Sequence, residues 1–248
     1  ISKKLAPNSS VAENDSSLGN DTQNLFDFTD TGFTLTTGNG NTNLNGGNFI
    51  YMAFKGSYAD YVSDVNTDGT IDSRVKTNPD YGFSVVSYSP SGSSGSVGHG
   101  LGVTPDAVIV KRRDAAGNWV SHWPAISGTN KQLYLNLTNA VDTNNISSLT
   151  STTFSVSGWS DVATAGGSYV AYCFNSVAGY SSIGSYTGNG SASGPTVTTG
   201  FLPAFLLIKR TDTADNWHIA DNTRSTDGTF NDVLRANLTN AESANNTG

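Results

Sequence analysis

The sequence predicts an all-β protein made of tandem, jelly-roll-like β-sandwich modules of roughly a hundred residues each. Residues 104–119 (TPDAVIVKRRDAAGNW) return as residues 202–217 (LPAFLLIKRTDTADNW), and Pro105 matches Pro203 at a spacing of 203 − 105 = 98 positions. Only 13% of residues are charged, while 27 are Gly and many are Asn, Ser or Thr. Such a composition favours short strands joined by turns over helices with charged faces.

The similarity extends on both sides of this stretch, and it fixes the predicted boundaries of the modules. LNLTNA at 135–140 matches ANLTNA at 236–241, GGNFIYMAF at 46–54 resembles GGSYVAYCF at 166–174, and GFTL at 32–35 resembles TFSV at 153–156. We therefore predict the C-terminal part of a first repeat at 1–56, a linker or insertion at 57–80, a complete second repeat at 81–179 and the N-terminal part of a third at 180–248. Because the chain lacks an initiator Met and stops within a unit, we expect it to be a piece of a longer protein.

Each predicted strand follows from local alternation of apolar and polar residues or from a dense apolar run. The tight turns at 114–118 and 213–216 precede Trp119 and Trp217, so each copy is expected to form a hairpin there. No stretch has convincing helical periodicity. The predicted strands lie at 32–37, 48–54, 82–88, 106–110, 132–137, 153–156 and 168–174.

Composition argues against several functional classes. The formal net charge of −7 and the pI near 4.7 disfavour nucleic acid as a partner, because phosphate binding needs clustered Lys and Arg. Cys173 is the only cysteine, so no disulfide can form within the chain, and its place in an alternating strand predicts a small core residue. No apolar run reaches the roughly 18 residues of a membrane span, so membrane insertion is not expected.

A possible metal site lies in the predicted linker. DVNTDGTID carries Asp64, Asn66 and Asp68 at the spacing of a calcium-binding EF-hand loop. The twelfth position is Val75, where a bidentate Glu belongs, and no flanking helix is predicted. The preferred interpretation is a polar turn without a cofactor, and a single calcium ion is the alternative.

The repeat separates candidate ligand-binding residues from structural ones. Trp119 and Trp217 occur in both copies and are predicted to be core residues. His122, Trp123 and Trp159 have no matching aromatic or imidazole in another copy, where Ala220, Asp221 and Gly38 stand. An exposed Trp can stack on a sugar ring and donate its indole N–H, so these three residues are the candidate contacts to a glycan or a partner. Packing or an interface is the alternative.

Two further predictions concern charge and catalysis. Lys111 with Arg112, and Lys209 with Arg210, end matching strands, and we expect them to cap the strand ends or reach neighbouring loops. A structural salt bridge with Asp114 or Asp212 is expected from one of the two cations in each copy. The three histidines have no zinc-site spacing, no GxSxG motif occurs, and no pair of carboxylates can be selected by spacing as a glycosidase would require. We therefore predict a non-enzymatic protein, and a hydrolase remains an open alternative.

Residues 82–119 and 179–217 resemble a repeat of virion proteins from marine bacteriophages, and the FIYMAF and YVAYCF strands after Gly-Gly belong to the same pattern. The resemblance implies a structural or adhesion protein on the virion surface, outside the cell. It implies a tail fibre or appendage that acts in assembly and host attachment, with other virion proteins and host surface glycans as partners. It transfers no catalytic or binding residue to this chain.

The remaining predictions concern the oligomeric state of the protein and the alternative functions. Edge strands of β-modules favour pairing between chains, so a homo-oligomer is expected, with a trimer as one form. A capsid decoration protein, a glycan-degrading tailspike and a secreted adhesin are the alternative functions.

Overall fold

A computed structural model describes most of the second and third repeats and short parts of the first. The chain divides into two compact units, residues 1–54 and 55–248. The predicted strand over 48–54 lies outside the described residues except for its last two, as does most of the predicted first repeat. The described residues are 26–29, 32–35, 45, 53–54, 65–126, 131–143, 145–191, 193–224 and 232–244.

The first unit contains an antiparallel hairpin of β1 (Phe26–Thr29) and β2 (Gly32–Leu35). The register places Phe26 opposite Leu35 and Phe28 opposite Phe33. The GFTL strand predicted from alternation is therefore confirmed over the four residues that are described.

Within the described residues, the second unit begins with eleven strands that alternate with Gly- and Ser-rich turns. A 3₁₀ turn spans Pro79–Tyr81, and one helical turn, α1, spans Ser160–Ala163. The strands are β3 (Val65–Asn66), β4 (Ser73–Asn78), β5 (Phe83–Tyr88), β6 (Gly95–Gly98), β7 (Ala107–Arg112), β8 (Trp119–His122), β9 (Lys131–Tyr134), β10 (Asp142–Thr143), β11 (Ile146–Ser147), β12 (Thr153–Val156) and β13 (Tyr169–Phe174).

Eight of these strands form one antiparallel sheet in the order β10-β9-β8-β7-β13-β5-β4-β3. Two meanders, β3-β4-β5 and β7-β8-β9-β10, are joined by β13, which pairs with β5 on one side and β7 on the other. Ala171 of β13 lies between Val86 and Val110, so the strand rich in apolar residues occupies the centre of the sheet. Burial on both faces explains its dense apolar sequence.

A second sheet, β11-β12-β6, covers one face of the large sheet and encloses the core. Alternate side chains of the large-sheet strands point into the core between the two sheets. Val162 and Ala163 of α1 close one end of this core. The protein is thus an all-β, sandwich-like fold of antiparallel sheets, as the sequence predicts. Core residues from the two sheets include Val86, Tyr88, Val108, Val110, Val120, Tyr169, Ala171 and Cys173 opposite Val97, Ile146, Phe154 and Val156.

The third repeat contributes a four-stranded antiparallel sheet, β14-β15-β16-β17. These strands occupy the sequence positions that correspond to β7, β8, β9 and β10 of the second repeat, in the same order. Their bounds are β14 (Phe205–Lys209), β15 (Trp217–Asp221), β16 (Asp232–Arg235) and β17 (Ser243–Ala244).

The third repeat docks on the second through backbone hydrogen bonds and one buried tryptophan. The N–H of Val141 donates to the carbonyl of Thr211 at 2.8 Å, and the N–H of Asp215 donates to that of Thr138 at 2.8 Å. The indole N–H of Trp217 donates to the carbonyl of Tyr134 at 2.8 Å, and Trp217 is only 2% exposed. Burial of this ring between repeats gives the junction an apolar centre.

The predicted linker at 57–80 takes part in the fold where it is described. Residues 65–78 supply β3 and β4, and β4 pairs with β5 from Ser73 opposite Tyr88 to Asn78 opposite Phe83. The segment therefore extends the edge of the large sheet. Sequence comparison between repeats could not show this, because the third repeat has no counterpart of these residues.

Candidate functional site

A shallow groove, open to solvent and lined by hydroxyl groups, lies along the outer side of the small sheet. It has a volume of about 420 Å³ and contains no charged side chain among its lining residues. Gly95 and Val156 contribute to its floor. Such a surface offers donors and acceptors to a neutral, hydroxyl-rich ligand. The hydroxyl groups belong to Thr70, Ser94, Ser96, Ser147, Ser155 and Ser157.

Two of these hydroxyl groups are fixed by the backbone. The N–H of Ser96 donates to Thr70 Oγ1 at 3.0 Å, and the N–H of Thr70 donates to Ser96 Oγ at 3.0 Å. Each oxygen accepts one bond from the protein and keeps its own O–H available for donation. The turn before β4 is thereby held against β6, and one side of the groove has a defined shape.

Trp159 is an exposed aromatic residue close in sequence to this groove, although it is not one of the lining residues. It is 64% exposed and follows Ser157 by two residues. A Cβ added to Gly158, which lies between them, would be 3.8 Å from the backbone nitrogen of Ser94, so the Trp159 backbone passes next to the groove wall. The exposed Trp face is available to stack on a sugar ring.

The backbone of Trp159 is anchored even though its side chain is exposed. Its carbonyl accepts the N–H of Val162 at 3.0 Å and that of Ala163 at 2.7 Å, and both of those residues are completely buried. An exposed ring on a rigid backbone loses little conformational freedom on binding, which favours its use as a contact.

His122 and Trp123 lie elsewhere, on β8 and directly after it, and they do not meet Trp159. His122 is buried, with Nδ1 2.6 Å from the carbonyl oxygen of Lys131, and burial lowers its pKa. Trp123 donates its indole N–H to Ser121 Oγ at 2.9 Å and packs on Trp217 with ring centroids 5.9 Å apart. Both residues contact the protein itself, and ligand binding by either stays a prediction.

The predicted calcium loop forms a local turn where it is described, and Asp64 lies outside the described residues. Asp68 N–H donates to Asn66 Oδ1 at 3.0 Å, and Asn66 Nδ2 donates to Asp68 Oδ2 at 2.9 Å. Across the part of the chain that the structure describes, no group of three or more His, Cys, Asp and Glu side chains is placed to hold a metal ion.

The charged residues shared by the repeats form the predicted ion pairs. Arg112 Nε lies 3.0 Å from Asp114 Oδ1, and Arg210 Nε lies 2.8 Å from Asp212 Oδ1, so this prediction is confirmed. The bond from Arg112 lowers the pKa of Asp114 to about 2, and Asp114 also accepts the N–H of Ser168 at 3.1 Å. The ion pair of Arg112 and Asp114 therefore links β7 to the segment that leads into β13, and its role is structural.

Two asparagines that the sequence analysis did not select hold the Trp strands. Asn136 Oδ1 accepts the N–H of Trp119 at 2.9 Å, and Asn237 Oδ1 accepts the N–H of Trp217 at 2.8 Å. Asn136 Nδ2 also donates to Asn118 Oδ1 at 3.1 Å. In the sequence, these two asparagines could have been found from the NLTNA motif that both repeats contain.

Cys173 occupies the core, as predicted from its strand pattern. It is completely buried, and burial raises the pKa of its thiol to about 12. A thiol in that environment stays protonated at neutral pH and is a poor nucleophile.

A family model described as a domain of unknown function (DUF7483) matches residues 1–248. The chain belongs to this family. No curated protein and no solved structure matches the chain. Within the described residues of this DUF7483 member, no helix has the length and apolar character needed to cross a membrane.

Proposed function

We propose that this DUF7483 chain is a non-enzymatic bacteriophage virion protein, in a tail fibre or appendage, that acts in assembly and host attachment at the virion surface. The resemblance of residues 82–119 and 179–217 to repeats of marine phage virion proteins supports the class. The junction between the second and third repeats supports a structural role, because hydrogen bonds and the buried Trp217 join these consecutive modules.

The attachment part of the proposal depends on one observation, the exposed Trp159 whose backbone follows the hydroxyl-lined groove residue Ser157 by two positions. Sugars present hydroxyl groups at their edges and weakly polar C–H faces, which suit serine hydroxyls and an aromatic ring respectively. A groove without charged lining residues favours a neutral glycan over an anionic one. The proposed ligand is therefore a neutral host surface glycan.

Attachment is tested by measuring binding of the purified chain to host cells and to their isolated surface polysaccharide. Replacement of Trp159 by alanine removes the stacking surface and should weaken binding roughly tenfold, the effect of about 1.4 kcal/mol. Tyr186→Ala is the matched control, because Tyr186 is also an exposed aromatic, at 54%, but lies far from every groove residue in the sequence, whereas Trp159 follows Ser157 by two positions. Equal binding by both variants and the original chain would rule out Trp159 as the contact.

The virion part is tested by imaging intact particles labelled with an antibody to this chain. Label on a tail or fibre supports the proposal. Label spread over the icosahedral shell would contradict the fibre proposal and support a capsid decoration protein instead. Release of reducing ends from the polysaccharide by the purified chain would instead identify a tailspike hydrolase.

A further inference from the structure

An asparagine followed by a glycine lies in an exposed turn between β13 and β14. Asn189 is exposed, and the φ of Gly190 is 67°, in the left-handed region that glycine adopts without strain. An asparagine before a glycine is chemically reactive, because the glycine nitrogen has no neighbouring Cβ to keep it from the side-chain carbonyl carbon. The other Asn-Gly pairs of the sequence, at 39–40 and 45–46, do not lie fully within the described residues.

The complete second repeat has the same exposed turn. Ser91 and Gly92 occupy the positions of Asn189 and Gly190, at a spacing of 189 − 91 = 98 positions, in the connection between β5 and β6. Ser91 is likewise exposed, and Gly92 also has a positive φ, of 95°. Exposure at this position is therefore a property of the turn, and the third repeat differs by placing an asparagine there.

The hydrogen bonds around Asn189 polarise its side-chain carbonyl and leave the next backbone nitrogen free. The N–H of Ser191 donates to Asn189 Oδ1 at 3.0 Å. This bond folds the carboxamide back over Gly190, and it offers a donor to the negative charge that develops on Oδ1 when the carbonyl carbon is attacked. Among the described residues, the N–H of Gly190 has no hydrogen-bond partner.

Asn175 shows how the fold protects an asparagine that also precedes a small residue. Its N–H donates to the carbonyl of Gly82 at 2.9 Å, and its Nδ2 donates to the carbonyl of Ser176 at 3.0 Å. The N–H of Ser176, which would have to attack, donates instead to Asp106 Oδ2 at 2.7 Å. Because the backbone around Asn175 is held in place, the same reaction requires local unfolding there.

We propose that Asn189 is a site of spontaneous deamidation in the folded protein. The nitrogen of Gly190 loses its proton and bonds to Asn189 Cγ, the Cγ–Nδ2 bond breaks, and ammonia leaves, which closes a cyclic imide. Water then opens the imide at either carbonyl carbon and leaves aspartate or isoaspartate at this position. The net change is the gain of one water and the loss of one ammonia, without oxidation or reduction.

The modification changes both the charge and the main chain of the connection between the second and third repeats. The formal net charge of the chain goes from −7 to −7 − 1 = −8. Isoaspartate also adds a side-chain carbon to the main chain at the turn. An exposed turn tolerates such a change without global unfolding, so an acidic form of the folded protein accumulates with age. The inference does not rest on the proposed virion function, since the reaction needs only the purified chain.

The site is tested by peptide mapping with mass spectrometry after incubation of the purified chain at mildly alkaline pH. A second sample kept in urea gives the rates at Asn189 and Asn175 without the fold. The folded chain should convert Asn189 at least as fast as the unfolded chain, because the turn leaves the attacking nitrogen free. It should convert Asn175 about tenfold more slowly than the unfolded chain or less, because local unfolding must come first.

Two glycine variants separate the chemistry of the turn from a general effect on it. Gly190→Ala should slow conversion at Asn189 about tenfold or more, because a methyl group obstructs the attacking nitrogen and alanine resists a positive φ. Gly188→Ala is the matched control, since a Cβ at either glycine would meet nothing within 4 Å and Gly188 does not supply the attacking nitrogen. Circular dichroism checks that both variants keep the fold.

Two results would overturn the proposal. The first is an Asn189 that stays unconverted in the folded chain while it converts in urea. The second is equal conversion at Asn189 in the Gly190→Ala and Gly188→Ala variants.

Discussion

His99 is a buried imidazole whose two nitrogens are both used by the backbone. Its Nδ1 accepts the N–H of Leu101 at 3.2 Å, so the neutral tautomer carries its proton on Nε2, 3.2 Å from the carbonyl oxygen of Thr150. Burial lowers the pKa of His99, although the Thr150 carbonyl and Asp68 act in the opposite direction. Protonation of Nδ1 would place its N–H against the backbone N–H of Leu101, so two hydrogen-bond donors would face each other inside the core.

Stability is expected to fall on acidification through the window that begins at about pH 6.5, the ordinary pKa of a histidine in an unfolded chain. The folded pKa of His99 and of His122 lies below the unfolded value, so the unfolded chain binds more protons as the pH drops through that window. Their contribution is therefore fully present above the unfolded pKa and is lost below it. Urea unfolding at several pH values measures the dependence.

Single substitutions assign this pH dependence to particular histidines. His122→Gln should flatten the slope, because it removes a group whose pKa is lowered by burial. A free energy of unfolding that stays constant over the window would contradict the assignment. Asp114 does not contribute there, because its folded pKa of about 2 and its unfolded value both lie lower.

The turn between β3 and β4 packs against β6 at a distance that admits only glycine. A Cβ added to Gly69 would lie 2.3 Å from the carbonyl oxygen of Ser96 and 2.9 Å from Val97 Cα, both backbone atoms. The N–H of Ile71 donates to the same carbonyl at 2.9 Å. The Asp-Gly pair interpreted as a polar turn is thus also a close contact between the two sheets.

Gly69→Ala is expected to destabilise the protein by about 1–3 kcal/mol, because backbone rather than a flexible side chain must move. The matched control is Gly188→Ala, since a Cβ there would meet nothing within 4 Å. Urea unfolding of both variants at neutral pH checks the difference. Equal stabilities would show that the Gly69 turn can separate from β6 without cost.

Strand positions could be predicted because apolar and polar residues alternate along a strand that has one buried face. Residues 82–88, 106–110 and 168–174 were each predicted as strands, and β5, β7 and β13 form there. The pairing order of the strands could not be predicted. β13 pairs with β5, about 80 residues earlier, and with β7, about 60 residues earlier, and no local pattern indicates pairing over such separations. The turn of α1 was missed because four residues are too few to show a helical period.

The candidate site was predictable only in part, since exposure depends on partners distant in sequence. Trp123 and Trp159 looked alike as unmatched aromatics. Trp159 lies on the surface, whereas Trp123 meets Trp217 from the next repeat. The hydroxyl-lined groove combines residues from four strand or turn segments, and serines in a Ser-rich chain carry no distinguishing signal of their own.

At the scale of the molecule, the contact between the second and third repeats controls how the modules move together. Trp217 packs on Trp123 across this contact, and its indole N–H donates to the carbonyl of Tyr134. The flanking bonds from Val141 and Asp215 are backbone bonds that side-chain substitution leaves intact.

Trp217→Ala is expected to cost about 3 kcal/mol and to let the third repeat unfold separately from the second. Trp217→Phe keeps an aromatic ring and loses the bond to Tyr134, so a smaller loss of about 1 kcal/mol is expected. Hydrogen exchange of β14–β16 relative to β5–β13 measures the separation. Unchanged protection of β14–β16 in the alanine variant would mean that the backbone bonds alone hold the junction.

The position of β13 also determines when the large sheet can assemble during synthesis. β13 is the last strand of the second repeat to leave the ribosome, yet both meanders depend on it for their central pairing. Contacts of such high sequence separation form slowly, since a long loop must close first. Until then β5 and β7 each present an open edge, so translation rate through residues 113–168 governs how long the nascent chain is exposed to aggregation.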